Sequence, residues 1–244
     1  MSLIKSLLKI GVPLTVAAAA LAAAKMREMT VPKKEKPRTD APIIVALGDS
    51  ITFGAGVVKT RASDSWESKL EKQLGGAYQV LNYGICGATL QNEGDMPYWN
   101  MPDKLCQGFP EAALALNPEI VILMLGTNDT KPYNWNRGRY EAQLDQRVKE
   151  ILAVPSVKRL ILMCPPFTCP VEGSEIVGYD IINETIRDEV NPIVKKCAAD
   201  NGVECIDLYA VTDGHSEYFD DGVHPNSFGN RVIASAIQKQ ILGQ

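Results

Sequence analysis

The sequence predicts an α/β protein, a three-layer α/β/α sandwich around a five-stranded parallel sheet. Three observations carry this. Short apolar runs alternate with segments of helical period along most of the chain. One run, residues 120–125, is apolar without interruption, as a central parallel strand covered on both faces must be. The polar residues that interrupt the pattern follow these runs, where a parallel sheet gathers a site at its carboxyl edge.

Taken in order, the first residues stand apart from that pattern. Lys5 and Lys9 precede an uncharged, alanine-rich run over residues 10–24, which ends in Ala22-Ala23-Ala24 before Lys25. A basic start, an apolar middle and small residues at the end make residues 1–24 an export signal. The run is shorter than the roughly 20 residues a membrane-spanning helix needs. Recruiting Leu7 and Leu8 would make it an uncleaved anchor, and an alanine-rich soluble helix has the same composition. Residues 25–40, with Pro32, Lys33, Lys34, Lys36, Pro37 and Arg38, lack an apolar period and read as a linker. Residues 41–244 then form one domain, a length that suits a single α/β unit.

Within that domain residues 43–47 are the first strand, broken at Gly48. Residues 65–74 have helical spacing, with Trp66 and Leu70 four apart and Gly75-Gly76 as a stop. Residues 78–83 form the second strand and run into Gly84-Ile85-Cys86-Gly87. An irregular stretch over 92–110 precedes a short helix at 111–116. The third strand stops at Gly126-Thr127-Asn128-Asp129. Leu144, Val148, Ile151 and Leu152 mark a helix over 140–154, and 159–163 is a fourth strand that Pro165-Pro166 ends. A helical pattern over 178–200 breaks or kinks near Pro192. The fifth strand is 203–208, and 227–242 closes the chain as a helix.

Composition bounds the function. The chain is 45% hydrophobic and 22% charged, a globular profile. Lys5, Lys9 and Lys25 lie in a stretch without acids, so removing those three from the formal charge of −4 leaves −7 for the rest. No basic cluster remains to track a phosphate backbone, which argues against a nucleic-acid partner. The six cysteines lack the paired spacing of a zinc site, so neither a metal nor another cofactor is expected. An even count is compatible with disulfides in an exported chain, Cys164 with Cys169 being the pair to test. Cys197 and Cys205 read instead as buried small apolar residues.

Ser50 follows the first strand, Asn82 and Gly84 close the second, Asn128 follows the third, and Asp221 and His224 follow the fifth. A serine hydroxyl needs a base within hydrogen-bond reach, and an imidazole suits that near neutral pH. Asp221-Gly222-Val223-His224-Pro225 supplies the base with a carboxylate three residues away that can fix its tautomer. His215, in a surface-like turn, is the rival base. Backbone N–H groups of Ser50 and Gly84 and the amide of Asn128 can serve an oxyanion. Each residue also has a plainer reading: Asp49 or Ser50 as a helix cap, Gly84 and Gly87 as loop formers, Asn128 as a cap or turn residue.

Four blocks in this order resemble the GDSL or SGNH hydrolases of the esterase and lipase type: Gly48-Asp49-Ser50-Ile51, Asn82-Tyr83-Gly84-Ile85-Cys86-Gly87, Gly126-Thr127-Asn128-Asp129 and Asp221-Gly222-Val223-His224-Pro225. The resemblance is spread over about residues 43–241. Ile51 stands where the family's short name has leucine, an apolar exchange. The resemblance implies Ser50 as nucleophile, His224 as base and Asp221 as its orienter. It further implies Ser50, Gly84 and Asn128 as the oxyanion hole, and the flavodoxin-like strand order 2-1-3-4-5. Asp49 is not the triad acid of this family, and it is expected to hold the turn by local hydrogen bonds.

The substrate follows less directly. Loops 92–110 and 130–139 carry Tyr98, Trp99, Tyr133 and Trp135 among polar groups, which suits sugar rings better than a fatty-acyl tunnel. Trp99, Trp135 and Arg137 are the candidate substrate contacts, although aromatic side chains also pin loops to a domain. The expectation is an exported short-chain acyl esterase, acting by an acyl-enzyme route on O-acetyl groups of a glycan or small molecule. The alternatives are a lysophospholipase or acyl-thioesterase tethered to a membrane by residues 1–24, and a catalytically silent carbohydrate-binding protein. Nothing in the sequence specifies an oligomeric state.

Overall fold

The computed structural model describes residues 33–104 and 106–243. The signal or anchor expected over residues 1–24 lies outside the described residues. Among the described residues no helix is long and apolar enough to cross a membrane.

Five parallel strands form one sheet in the order β2-β1-β3-β4-β5. They are β1 (Ile43–Gly48), β2 (Gln79–Gly84), β3 (Ile120–Met124), β4 (Arg159–Cys164) and β5 (Glu204–Asp207). Strand β1 lies at the centre of the site-bearing half, paired with β2 on one side and β3 on the other, and Gly48 sits opposite both Gly84 and Met124. The helices used below are α1 (Ser50–Phe53), α2 (Trp66–Gln73), α3 (Phe109–Leu114), α4 (Arg137–Leu152), α5 (Asn191–Asn201) and α6 (Ser227–Leu242).

Because side chains alternate along a strand, each strand feeds two cores. Val45, Leu47, Val121, Leu123, Leu160 and Leu162 face α3, α4 and α5, where Phe109, Tyr140, Leu144, Val148, Ile193 and Val194 cover them. Ile44, Ala46, Ile120, Ile122, Ile161 and Met163 face the other way, onto Ile51, Trp66, Leu70, Ile233 and Ile237 of α1, α2 and α6. Each such aliphatic side chain, fully buried, contributes roughly 1.5–3 kcal/mol. The three layers and the strand order agree with the expectation.

Two helices differ from expectation for physical reasons. Helix α4 begins three residues before the predicted start, because Asn136 caps it by accepting a hydrogen bond from the Arg139 N–H. The helical pattern after residue 178 is in fact a loop as far as Ile182, and the helix then widens into a π turn over Ile186–Val190. That turn stands directly before Pro192, whose missing N–H and ring do not tolerate continuous α geometry.

Residues 33–40 are not a free linker. Glu35 accepts the Asn82 N–H (3.1 Å), its carbonyl receives Tyr83 Oη (2.7 Å), and Arg38 N–H donates to Gln79 Oε1 (2.8 Å). This segment covers the outer edge of β2, which would otherwise offer unpaired backbone to another chain.

None of the six cysteines is disulfide-bonded. Cys164 ends β4 inside a core layer, 3.9 Å from Cys205 on the neighbouring strand. Cys169 lies beyond Pro165-Pro166 in the following loop and donates its N–H to Gly222. The 164–169 pairing is therefore not made, because the two prolines carry the chain out of the sheet between them.

Candidate active site

The chain leaves β1 at Gly48, where a β-carbon would fall 2.6 Å from the Met124 carbonyl and 2.2 Å from Thr52 Oγ1. Only glycine lets the strand turn this close to its neighbour. Asp49 caps the four-residue α1 through Oδ1, which accepts the Ile51 N–H at 2.9 Å. Ser50 is the first residue of α1 and is nearly buried. Its Oγ lies 2.9 Å from His224 Nε2.

His224 stands on the loop before α6. Its Nδ1 lies 2.6 Å from Asp221 Oδ2, while Asp221 Oδ1 accepts the backbone N–H groups of Val223 (3.0 Å) and His224 (2.7 Å). The three-residue spacing thus closes a tight turn around the carboxylate. Burial alone would raise the Asp221 carboxyl, but the hydrogen bonds from the His224 ring and backbone and from Val223 outweigh it and hold the group well below the usual carboxylate range. Behind the imidazole, Gly56 lets the chain after α1 pass close, since a β-carbon there would meet the Pro225 carbonyl at 2.3 Å. Asn230, on α6, joins both sides of this wall, accepting the Trp66 N–H at 2.9 Å and donating to Pro225 O at 2.6 Å.

The loops after β2 and β3 complete the rim. Asn128 is almost fully buried and donates through Nδ2 to Ala88 O (3.2 Å). Asp129, next to it, clamps the two loops together. Its oxygens accept the N–H groups of Leu90 and Gln91, each at 2.9 Å. Gly84 plays a different part from the one expected. Its N–H donates to Asn82 Oδ1 at 2.9 Å, and its α-carbon is wedged under α1, where a β-carbon would lie 2.2 Å from Phe53 N. Asn82 Nδ2 in turn holds the Thr52 carbonyl at 2.6 Å. Gly84 is therefore a spacer beneath the Ser50 turn. Gly87, with a left-handed φ of +81°, lies one residue before the Ala88 carbonyl that Asn128 binds, and its N–H donates to no described acceptor.

His215 is engaged elsewhere: it stacks on Tyr218 and meets Glu217 at 2.8 Å on the surface. The expected substrate contacts are engaged within the domain. Trp99 lies edge-on to Tyr98 with the Arg147 guanidinium 4.8 Å from its ring, and Trp135 donates to Glu189 at 3.2 Å. Arg137 pairs with the same Glu189 at 3.6 Å. Long irregular loops need apolar anchors, and both indoles pack on the core for that purpose.

Asp49 and Asp129 are both completely buried, and burial pushes each carboxyl up to about 6, against the pull of the backbone N–H groups they accept. Asp49 Oδ2 lies near Thr127, yet neither Oδ2 nor Thr127 Oγ1 makes a hydrogen bond. A raised folded-state value means that the stability Asp49 contributes is fully present below about pH 4 and is lost as pH rises through about 6. Asp49→Asn keeps the Oδ1 acceptor and removes the buried charge. The variant is expected to be more stable than the parent by on the order of 2 kcal/mol at pH 8 and indistinguishable from it near pH 4, as read by urea unfolding. Equal destabilisation at both pH values would contradict this account.

A 2-1-3-4-5 parallel sheet between two helical layers, with serine, histidine and aspartate hydrogen-bonded in sequence at its carboxyl edge, defines the SGNH class of hydrolase. The model of the GDSL-like lipase/acylhydrolase family matches residues 46–232, and the chain belongs to that family of ester hydrolases. An acetylxylan esterase of Xylanibacter ruminicola is 34% identical over 224 residues, covering 84% of this chain and 44% of its own length. The chain thus spans less than half of that curated relative. Among solved structures, an aryl esterase of M. smegmatis superposes with a TM-score of 0.67 at 23% identity, over 83% of this chain and 99% of that one. A carbohydrate acetylesterase of Sinorhizobium meliloti gives 0.66 at 21% identity, over 83% and 99%. At these identities the two structures define the fold.

Proposed function

We propose that this chain is a serine esterase that removes short acyl groups, O-acetyl above all, from carbohydrate. The observation that carries the reading is the unbroken hydrogen-bond sequence from Ser50 Oγ through His224 to Asp221. His224 Nε2 takes the Ser50 proton as Oγ attacks the ester carbonyl, and Asp221 holds the ring in the tautomer that leaves Nε2 free to accept. The tetrahedral intermediate expels the sugar hydroxyl, which receives that proton from His224. A water then attacks the acyl-enzyme by the same proton route, releasing acetate and restoring Ser50.

The oxyanion meets three donors: the Ser50 N–H at the start of α1, the Asn128 amide and the Gly87 N–H. Gly87 takes the place assigned from sequence to Gly84, whose N–H is already committed to Asn82. The acetylxylan esterase relative supports a glycan ester as the substrate. Residues 1–24, read as an export signal, would bring the enzyme to polymeric substrate outside the cytoplasm.

Hydrolysis of p-nitrophenyl acetate, butyrate and octanoate, beside acetate release from acetylated xylan, tests the substrate class. Rates are expected to fall at least about tenfold from acetate to octanoate, the equivalent of poor accommodation of a few methylenes, with acetate released from the polymer. Preference for octanoate would replace this reading with a lipid or thioester substrate. Binding of glycan without turnover of any ester would replace it with a lectin-like role.

A further inference from the structure

One side chain that nothing in the sequence pattern singles out reaches the centre of the site. Tyr179 lies on the loop between β4 and the π turn, and its Oη donates to Asp221 Oδ2 at 3.1 Å. That is the same oxygen that His224 Nδ1 approaches at 2.6 Å. The Tyr179 ring meets the imidazole edge to face, with centroids 5.1 Å apart and planes 74° apart. The carboxylate therefore has four donors, and Tyr179 supplies the only one that comes from outside the Asp221–His224 turn among the described residues.

The backbone pays for this contact in strain. Tyr179 and Asp180 both have left-handed conformations, with φ of 63° and 58°, and neither is glycine. Such a pair persists only where the surroundings over-determine it. Here the anchors flank it on both sides. Val177 and Ile181 pack with Val223, the residue between Asp221 and His224. Ile182 N–H donates to Thr130 Oγ1 (3.2 Å), and Cys169 N–H donates to Gly222 O (2.9 Å). The loop is thus fastened to the rim after β3 and to the Asp221 turn itself, and the left-handed pair is the reversal that turns the ring onto the carboxylate. A half-exposed tyrosine with no such task would relax to ordinary geometry.

We propose that Tyr179 is a positioning residue for the reaction, which acts through Asp221 to fix the direction of the His224 ring and to temper the carboxylate's pull on the protonated imidazole. This rests on the triad reading above. The charged groups that face the imidazole are Asp221 on its own loop and Asp49 on the turn after β1. The phenolic dipole points its positive end at Asp221. Without it, the carboxylate acts on the imidazolium undiminished, the protonated ring is favoured, and the acid limb of activity moves to higher pH.

The test is the pH profile of kcat/KM on p-nitrophenyl acetate for Tyr179→Phe, which deletes the hydroxyl alone, and for Tyr179→Asn, which tolerates the left-handed backbone and deletes the ring as well. Tyr179→Phe is expected to lose roughly tenfold in kcat with little change in KM, the value of one hydrogen bond to a charged group, and to move the acid limb to higher pH. Tyr179→Asn is expected to lose more, with the same direction of shift. A Tyr179→Phe profile that superimposes on the parent, or a lower kcat with an unmoved limb, overturns the positioning role. Ser50→Ala measured alongside separates the two claims. Its inactivity beside an unmoved Tyr179→Phe profile overturns this inference alone, whereas parental activity in Ser50→Ala overturns the triad reading and this inference with it.

Discussion

Ser50→Ala is expected to lower kcat by at least about 10⁴-fold while leaving the fold and its stability unchanged. The hydroxyl makes one contact, with His224 Nε2, and the turn that presents it does not depend on it. The cap of α1 is Asp49, and Gly54 closes the helix in a left-handed conformation by donating to the Ile51 and Ser50 carbonyls. Alanine is the best helix former and fits the nearly buried position without new volume. The oxyanion donors proposed above survive the substitution, so a residue of catalysis above the rate in water is expected from them. Initial rates on p-nitrophenyl acetate, with thermal unfolding of both proteins, check both halves of the statement. Loss of activity accompanied by a large fall in Tm would point to a damaged turn, and an undiminished rate would remove Ser50 from the mechanism.

Much of this site is written in the sequence because parallel sheets make position along the chain equivalent to position in space. Ser50, Asn128 and His224 each follow a strand run that is legible by its apolar character, and the sheet brings those ends to one edge. What sequence could not assign is the choice between neighbours of one type. Gly84 ends β2 and Gly87 lies three residues on in the loop that follows, and only the Asn82 hydrogen bond and the approach of Phe53 mark Gly84 as the spacer. Trp99 and Trp135 carry the same composition whether they face a sugar or the core, and their partial burial against the core is a property of the folded chain. Residues 33–40 have the polarity of a tether, yet Glu35 and Arg38 find partners on the edge of β2. Tyr179 lies far along the chain from Asp221, in a loop without period, so no spacing rule reaches it. Asp129 clamps the loop after β3 to Leu90 and Gln91, some forty residues earlier, a contact that no local pattern shows.

Gly84→Ala is the substitution expected to do most harm away from the reacting atoms. The added β-carbon would fall 2.2 Å from Phe53 N and 2.7 Å from Phe53 Cα and Thr52 C, which are backbone atoms of α1 and not the movable end of a side chain. Either α1 lifts or the end of β2 drops, and β2 is held in register with Gly48. Overpacking a core costs about 1–3 kcal/mol where side chains can yield, and a clash with backbone belongs at or above the upper end. Lifting α1 also strains the Asn82–Thr52 hydrogen bond and carries Ser50 away from His224, and a misplacement of about 1 Å can cost roughly 10²-fold in rate. Alanine keeps the N–H at residue 84, so a rate loss cannot come from deleting a donor there. Gly87→Ala offers the contrast. Its β-carbon would meet only Met96 Cγ at 3.7 Å, so the cost is the left-handed backbone, about 1 kcal/mol. Urea unfolding and kcat measured on both variants are expected to place Gly84→Ala low in stability and rate together. Gly87→Ala should keep most of its stability and lose rate as the loop relaxes away from the oxyanion. Parental stability in Gly84→Ala would mean that α1 does not rest on this glycine, and the account of how the strand end positions Ser50 would fail with it.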